Sequence, residues 1–363
     1  MVERAGRAST NRASDPAALG IPEGVNERKV RSMDLELELD PVRTDLSAAW
    51  RTALVAGFQA GEDEPALVKR LTAATTTAGK SIKGSIVTVE AAFVHGGRSM
   101  VRFDMPTKGT STTEERELGD LMLLANLVAG GRLVCQRVAI VQVKKHGGKQ
   151  RTGTRYGIQR SQLFLLQHFP VFDGVSGMFS GRSGVKLPNR TGHLGMYMFL
   201  SSPAEIALLL PSGVDHLLGG RDSLMAKELA PLLFRQETLL RGWLDGWPLR
   251  LDEDWIGDLY RSALSIDAAG NVEALILWWL AGLVGQSWVP EGSTTDRALG
   301  GIIKSVVLSP TLAKELPQTA GLLDRLGDDD LAPPGDVGVT DGDDGGADGE
   351  GFGVVSAVIN IGG

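Results

Sequence analysis

The chain has 363 residues, of which 42% are hydrophobic, and a formal net charge of −7 at pH 7. This length allows one large domain or two ordinary ones, with enough apolar residues for a buried core. The single cysteine, Cys135, excludes a disulfide framework and a cysteine-based zinc site, and is typical of a reducing cytosol. We therefore expect a cytoplasmic globular protein.

The sequence contains no segment that predicts export or membrane insertion. The first 20 residues are polar and lack the apolar stretch of a secretory signal. The longest apolar run, at 274–285, has 12 residues interrupted by glycine, which is too short to cross a bilayer. We expect this run to be a buried core helix.

The charge is distributed unevenly along the chain. Residues 328–350 carry eight Asp, one Glu and no base, a local charge of −9, so the rest of the chain is near +2. Residues 121–172 hold eight Lys or Arg and no acid. Such a basic stretch is typical either of a solvated face or of a site for a polyanion.

The first third of the chain predicts helices followed by mixed elements. Residues 1–45 resemble a loose arm, and helices are expected at about 46–59 and 65–72. Residues 81–95 are ambiguous, because their β-branched run favours a strand while the spacing allows a helix. A short strand over 99–105 and a loop over 106–114 follow.

Two apolar segments, 120–128 and 133–145, are separated by the sequence AGGR and predict a β-hairpin. A turn centred on the two glycines makes the numbers of paired residues add to about 261 or 262. A helix is expected over about 158–168, ended by Pro170, and a strand over 194–201.

This hairpin register brings three polar side chains together. Asp120 falls opposite Val141 or Gln142 on the neighbouring strand. Because side chains alternate along a strand, Gln142 and Lys144 share one face and Val143 points to the other. An acid, an amide and an ammonium therefore converge at the end of an otherwise apolar hairpin.

These residues carry a resemblance to a known superfamily. The segments ELGD (117–120), QVKK (142–145) and QLFLLQHFPVF (162–172) resemble the Q-x-K variant of the PD-(D/E)XK nuclease-like superfamily, as found in certain bacterial proteins. The resemblance covers about 85 residues, 90–172, and the strand after them. It implies an α/β (α+β) fold with a restriction-endonuclease-like core of order αβββαβ, in which helices flank a mixed sheet.

The resemblance also implies roles for individual residues. Asp120 would be the metal-binding carboxylate, and Gln142 stands where most of the superfamily has Asp or Glu. Lys144 would orient the attacking water and offset charge on the scissile phosphate. Glu90 would be an additional acid if 81–95 form the first core helix, and the backbone oxygen of Val143 would complete the site.

The implied cofactor is Mg²⁺ or Mn²⁺, because hard cations take carboxylate, amide and backbone oxygens and retain several waters. If 81–95 form a strand, Glu90 is withdrawn and Glu117 becomes the next candidate acid. Glu117 would otherwise pair with Lys144 or Lys145. Gln162, on the following helix, would line the site.

The basic stretch supplies candidate contacts to nucleic acid, which we expect to be DNA gripped through its phosphates with little sequence readout. The candidate residues are Lys145, Lys149, Arg151, Arg155 and Arg160. Each candidate also has an ordinary structural interpretation. Asp120 could be a turn residue at a strand start, Gln142 a plain polar edge residue, and Glu90 a solvated helix acid.

The expected organisation has four parts: a loose N-terminal arm (1–45), a nuclease-like core (46–222), a helical subdomain (223–326), and a disordered acidic linker with an apolar peptide (327–363). The helical part holds six of the seven tryptophans. The linker cannot bury enough surface to order. The final peptide, FGVVSAVINIGG, has the composition of a strand that stays unbound, pairs with its own body or adds to a partner protein's sheet.

Two functions from different classes remain open. One is a metal-dependent endonuclease acting on DNA, with an anti-phage or restriction-like role by analogy with the similar bacterial proteins. The other is a catalytically inactive nuclease-fold protein that binds nucleic acid or acts as a scaffold, which the neutral Gln142 favours. The residues leave the oligomeric state open, a homo-oligomer included.

Overall fold

The computed structural model describes most of the chain. The described residues are 32–81, 86–95, 99–146, 155–176, 179–189, 193–203, 206–221, 223–225, 272–326 without 281, 283 and 291, and 351–360. They form a mixed α/β protein with a mixed sheet and several helices. Within these ranges, no helix combines the length and apolar character needed to cross a membrane.

Twelve strands and eight helices lie within the described residues. The strands are β1 (Val87–His95), β2 (Met100–Thr107), β3 (Thr110–Glu117), β4 (Leu121–Ala129), β5 (Arg132–Lys145), β6 (Arg155–Gly157), β7 (Phe172–Gly174), β8 (Gly195–Leu200), β9 (Ile206–Leu209), β10 (Ser223–Met225), β11 (Gln286–Trp288) and β12 (Gly351–Asn360). The helices are α1 (Ser32–Ala60), α2 (Glu64–Ser81), α3 (Arg160–His168), α4 (Pro211–Leu218), α5 (Val272–Leu280), α6 (Thr294–Val307), α7 (Pro310–Glu315) and α8 (Pro317–Asp324).

The main sheet has the strand order β1-β12-β4-β5-β8-β9, and β11 pairs with β5 beside β8. β12 runs parallel to β4, and β8 runs parallel to β5, while the other pairs are antiparallel. Helices α1, α2 and α5 pack in the core on one face. Helices α3, α4, α6, α7 and α8 pack in the core on the other.

The predicted hairpin is confirmed as β4 and β5. Partner numbers add to 262 from Leu121↔Val141 to Leu127↔Cys135, and to 261 beyond a register shift at Val128. The turn residues Gly130 and Gly131 have φ of 55° and 74°, the positive values that a tight hairpin turn requires. Both predicted registers therefore occur in one hairpin.

The C-terminal peptide pairs with its own body, and it does so in the middle of the sheet. β12 lies between β1 and β4, and each of its residues except Asn360 is buried. This uncharged, β-branched segment satisfies its backbone on both sides and its apolar side chains in both cores. Without it, β1 would have no partner in the main sheet among the described strands.

A chain of buried polar groups fixes the register of β12. Gln136 donates to Asn126, Asn126 donates to Ser356 at 2.8 Å, and Ser356 lies 2.7 Å from Thr319 on α8. Thr319 uses its one hydroxyl proton on Glu90 of β1, so Ser356 must be the donor to Thr319. A one-residue slip of β12 would turn Ser356 to the other face and break this chain.

Three sequence predictions differ from the structure. Helix α1 begins at Ser32, inside the predicted loose arm, although 1–31 lie outside the described residues. Residues 110–114 of the predicted loop belong to strand β3 instead. This strand is polar and mostly exposed, so its sequence lacks the apolar alternation that predicts a strand. The described helices of 223–326, which were expected to form a helical subdomain, pack in the two cores on either face of the main sheet, and β11 pairs with β5 within that sheet.

We predict that Ile359→Ala destabilises the protein by about 2–5 kcal/mol, the usual cost of such a cavity in a packed core. Ile359 pairs with Leu127, at the opposite end of β4 from Asp120. Ile359 is 2% exposed. Chemical denaturation measures the free energy of unfolding. Val171→Ala, at a site that is 53% exposed, is the control and should change it by no more than about 0.5 kcal/mol. Equal effects of the two substitutions would contradict a central β12.

Candidate functional site

The predicted convergence of Asp120 and Gln142 is observed at one end of the main sheet. Asp120 immediately precedes β4, and its backbone N–H donates to Val141 O of β5 at 2.9 Å. Gly119 permits this close approach, because a Cβ there would lie 2.9 Å from Ile140 Cγ2 and 3.1 Å from Val141 O. A larger residue in place of the glycine of the ELGD segment would therefore clash with β5.

The carboxylate of Asp120 is buried and bonded to β5. Its Oδ2 accepts the backbone N–H of Val143 at 2.6 Å and the Nε2 of Gln142. The backbone oxygen of Asp120 accepts the N–H of Gly353 on β12 at 2.9 Å. Asp120 thus joins three adjacent strands at their ends.

Gln142 and Gln162 are hydrogen-bonded to each other across the space between β5 and α3. Gln142 Oε1 accepts from Gln162 Nε2, which also lies 3.3 Å from the backbone oxygen of Glu117. Gln142 therefore presents its NH₂ group to Asp120 and its oxygen to α3. Gln162, predicted only to line the site, contacts it directly.

Lys144 pairs with an acid that the sequence analysis did not select. Its Nζ lies 3.2 Å from Glu64 Oε2, and the backbone N–H of Lys145 donates to Glu64 Oε1 at 2.8 Å. Glu64 is the first residue of α2. Glu117 does not lie opposite Lys144 in the hairpin, because it ends β3 in a different sheet, where its backbone pairs with Met100.

The side chains of the site differ in their exposure to solvent. The side chain of Glu64 is 30% exposed and that of Lys144 is 15% exposed. Asp120, Gln142 and Gln162 are 3%, 1% and 4% exposed. The alternative that Gln142 is a plain polar edge residue is therefore wrong, because its side chain is buried and its strand pairs on with β8.

Burial raises the pKa of the Asp120 carboxyl well above its ordinary value, because the charged form is desolvated there. The charge of Glu117 raises this pKa further, while the Lys144 ammonium and the Val143 N–H lower it and Glu64 raises it. Two carboxylates and one ammonium therefore act on a buried carboxylate. The electrostatic balance at Asp120 favours an additional positive charge.

Glu90 is withdrawn as a metal ligand. Residues 87–95 form a strand, and its carboxylate accepts hydrogen bonds from the backbone N–H groups of Gln318 and Thr319 at 2.7 and 3.0 Å. Glu90 thus serves the N-terminal turn of α8, where backbone N–H groups lack helical partners. The sequence alternative, Glu117, acts on Asp120 through its charge.

The candidate nucleic-acid contacts are only partly described. Lys149 and Arg151 lie outside the described residues, as does the side chain of Arg155. Lys145 donates through Nζ to the backbone oxygen of Glu62 and lies 4.9 Å above the ring of Phe58. Arg160 pairs with Asp215 at 3.0 Å and also donates to the Arg221 backbone.

The donor groups suit a hard cation in chemical type. Asp120 and Glu64 offer carboxylates, and Gln142 and Val143 offer amide and backbone oxygens, the ligands that Mg²⁺ prefers alongside water. No group of three or more His, Cys, Asp or Glu residues is arranged to hold a metal ion in the part of the chain that the structure describes. The site therefore suits Mg²⁺ in the type of its donor atoms and in its buried negative charge, although it offers only two carboxylates.

The sequence around Glu64 predicts the start of a helix but not a contact with the site. Glu64 begins a helix directly after Glu62-Asp63, and an acid at a helix N-terminus is favoured by the helix dipole. Its contact with Lys144 spans 80 positions in sequence, so no local pattern indicated it.

Comparisons with protein-family models, with curated proteins and with solved structures find no match to this chain.

We predict that Asp120→Asn stabilises the protein against heat, with a gain that grows as pH rises above about 4. A carboxyl whose folded pKa is raised loses stability as pH increases from its unfolded pKa through its folded pKa. The substitution removes this loss and leaves an oxygen to accept from Val143 and Gln142. Thermal unfolding from pH 4 to 8 should show a Tm increase of roughly 2 °C or more at the upper end.

Asp173→Asn is the control of opposite sign. The Ser183 hydroxyl and the Gly184 N–H lower the pKa of Asp173 by donating to its carboxylate. Its stabilising effect is present above the unfolded pKa and is lost as pH falls, so this variant should be less stable at neutral pH. A destabilised Asp120→Asn at pH 8 would contradict the electrostatic assignment of the site.

Proposed function

We propose that this protein is a metal-dependent endonuclease that hydrolyses phosphodiester bonds in DNA, in a bacterial anti-phage or restriction-like role. The observation that carries the proposal is the cluster of Glu64, Asp120, Gln142 and Lys144 at one end of the mixed sheet. Asp120 is a buried acid whose surroundings favour an additional positive charge, which a cation would supply. Lys144 is nearby and more exposed, and its ammonium suits a phosphate.

The order of elements supports a restriction-endonuclease-like core. Helix α2, strands β1, β4 and β5, helix α3 and strand β8 give an αβββαβ order when the strands of the smaller sheets are left out. The helix considered for 81–95 is largely strand β1, and the strand expected over 99–105 lies in a separate sheet as β2, so α2 and β1 stand in their places. β4 is antiparallel to β5, and β8 is parallel to it. The insertion of β12 between β1 and β4 departs from a simple version of that order.

Each residue has a chemical role in this proposal. Asp120 and Glu64 would hold Mg²⁺ or Mn²⁺ with the backbone oxygen of Val143. When bound, the ion would polarise the phosphoryl oxygen and acidify a water. Lys144 lies on the more exposed side of Asp120, where its ammonium would offset charge developing on the scissile phosphate.

Gln142 would have to reorient to act as a ligand. Its NH₂ group now donates to Asp120, so its oxygen faces Gln162. A rotation of the Gln142 amide by about half a turn would bring the oxygen to the cation, and Gln162 would then accept instead of donate. The two amides would change orientation together.

A non-catalytic nuclease fold is the second candidate, and one observation favours it. Asp120 is already bonded to Gln142 and Val143, while the Lys144 ammonium is paired with Glu64. The side chains of such a site have hydrogen-bond and ion-pair partners without a metal. Such a protein would bind nucleic acid or act as a scaffold without cleaving it.

We predict that Asp120→Asn and Lys144→Ala each lower the rate of plasmid nicking by about 10²-fold or more, as removal of one charge-stabilising group does in other enzymes. The assay uses supercoiled DNA with Mg²⁺ or Mn²⁺. Circular dichroism and thermal unfolding establish that each variant is folded.

Lys186→Ala is the matched control, because Lys186 is an exposed lysine outside the site. It should nick DNA at the wild-type rate. Full activity in either site variant would defeat the catalytic assignment. A wild-type protein that binds DNA and never cuts it would favour the non-catalytic alternative.

We predict that binding to duplex DNA weakens steeply with salt, because lysines and arginines that contact phosphates release counterions. Four such contacts would give a slope of about −3.6 for log affinity against log salt concentration. The double variant Lys149→Ala/Arg151→Ala should make that slope shallower by about 2, while Lys186→Ala should leave it unchanged. A flat response of the wild type would argue against a polyanion partner.

A further inference from the structure

Tyr197 on β8 has a buried hydroxyl group without a hydrogen bond. Its side chain is 0% exposed, and its Oη has no partner among the described residues. Buried hydroxyl groups are paired in the large majority of native structures, since leaving one unpaired is unfavourable. Tyr197 Oη is one of several buried side-chain atoms without a hydrogen-bond partner among the described residues, and it is the one on β8 beside Gln142.

The ring of Tyr197 is held in place by its neighbours. It stacks on Phe199 with centroids 5.9 Å apart and an interplanar angle of 19°, and Phe199 meets the ring of Tyr156 edge-on at 4.9 Å. Tyr156, in the same aromatic group, has its hydroxyl 2.6 Å from Ser201 Oγ. Of these two neighbouring tyrosines, Tyr156 has a hydrogen-bond partner for its hydroxyl and Tyr197 has none among the described residues.

Strand register places Tyr197 beside the candidate site. Gln142 and Tyr197 are partners in the parallel pair of β5 and β8, so their side chains lie on the same face of the sheet. Gln142 contacts both Asp120 and Gln162. Tyr197 therefore lies next to Gln142, the residue that bonds Asp120, on the same face of the sheet.

The electrostatics agree with this position. Burial raises the pKa of the Tyr197 phenol, and the nearby charge of Asp120 raises it further. A tyrosine hydroxyl is protonated at neutral pH in any case, so it is available as a donor. Both hydrogen bonds that Asp120 accepts through its carboxylate go to Oδ2, which leaves Oδ1 for a ligand.

We infer that the Tyr197 hydroxyl donates a hydrogen bond to an oxygen atom of the ligand held at Asp120. This inference rests on the proposed function of the site. The ligand oxygen belongs either to a water on the bound cation or to the phosphate of the nucleic acid. In both cases the hydroxyl finds its partner only when the site is loaded.

The test is Tyr197→Phe, with Tyr156→Phe as the matched control. Without ligand, Tyr197→Phe should have the wild-type Tm or a higher one, because it removes a group that has no partner. Tyr156→Phe should lower the Tm, because Ser201 loses its partner. Titration calorimetry with Mn²⁺, binding of a short DNA duplex and plasmid nicking are then measured for the wild type and both variants.

We expect Tyr197→Phe to lose about 10-fold or more in one of these ligand measurements, the loss that follows from one hydrogen bond to a charged ligand. A weaker affinity for Mn²⁺ alone identifies the water as the acceptor. Unchanged Mn²⁺ binding with weaker duplex binding or slower nicking identifies the phosphate. Tyr156→Phe should match the wild type in all three.

The outcomes separate this inference from the proposed function. A wild type that binds Mn²⁺ in a Tyr197-dependent manner but cleaves nothing would overturn the nuclease and retain the inference. A wild type that nicks DNA, with Tyr197→Phe equal to it in every ligand measurement, would overturn the inference alone. A wild type that binds neither Mn²⁺ nor DNA would overturn both.

Discussion

The buried carboxylate of Asp120 is the constraint on which the end of the sheet depends. A carboxylate removed from water is unfavourable unless hydrogen bonds or opposite charges compensate it. Here a backbone N–H of β5 and the amide of Gln142 do so in part. The position of Gln142 in turn determines that of Gln162 on α3. An ionised carboxyl at position 120 therefore lowers the stability of the fold relative to an uncharged group of the same shape.

The parts of this site that were predicted from sequence are those set by local geometry. A two-glycine turn determines the hairpin register, and the register alone brings Asp120 opposite Gln142. The helix α3 followed from its apolar spacing and from Pro170. Each of these inferences uses residues within about 45 positions of one another, where alternation and turn geometry still carry information.

What could not be predicted depends on contacts between distant segments. Glu64 reaches Lys144 from a helix 80 positions away. The β-branched residues around Glu90 fit a strand or a helix, and only the approach of Thr319 and α8 gives that carboxylate its partners. The composition of 351–360 indicated a strand but not a neighbour, because every sheet edge offers similar backbone groups. The buried Ser356, which specifies the neighbours, has no distinctive local pattern.

The position of β12 has a consequence for biosynthesis. Domains commonly fold from the N-terminus while the ribosome is still adding residues. Here a central strand of the sheet, β12, follows the other described strands in the chain, and its N–H at Gly353 bonds the backbone of Asp120. β1 and β4 are therefore made before the strand that lies between them, so this part of the sheet can form only after β12 has left the ribosome. A chain that has not yet reached β12 therefore lacks the strand that bonds the backbone of Asp120, and the candidate site is incomplete until that strand is made.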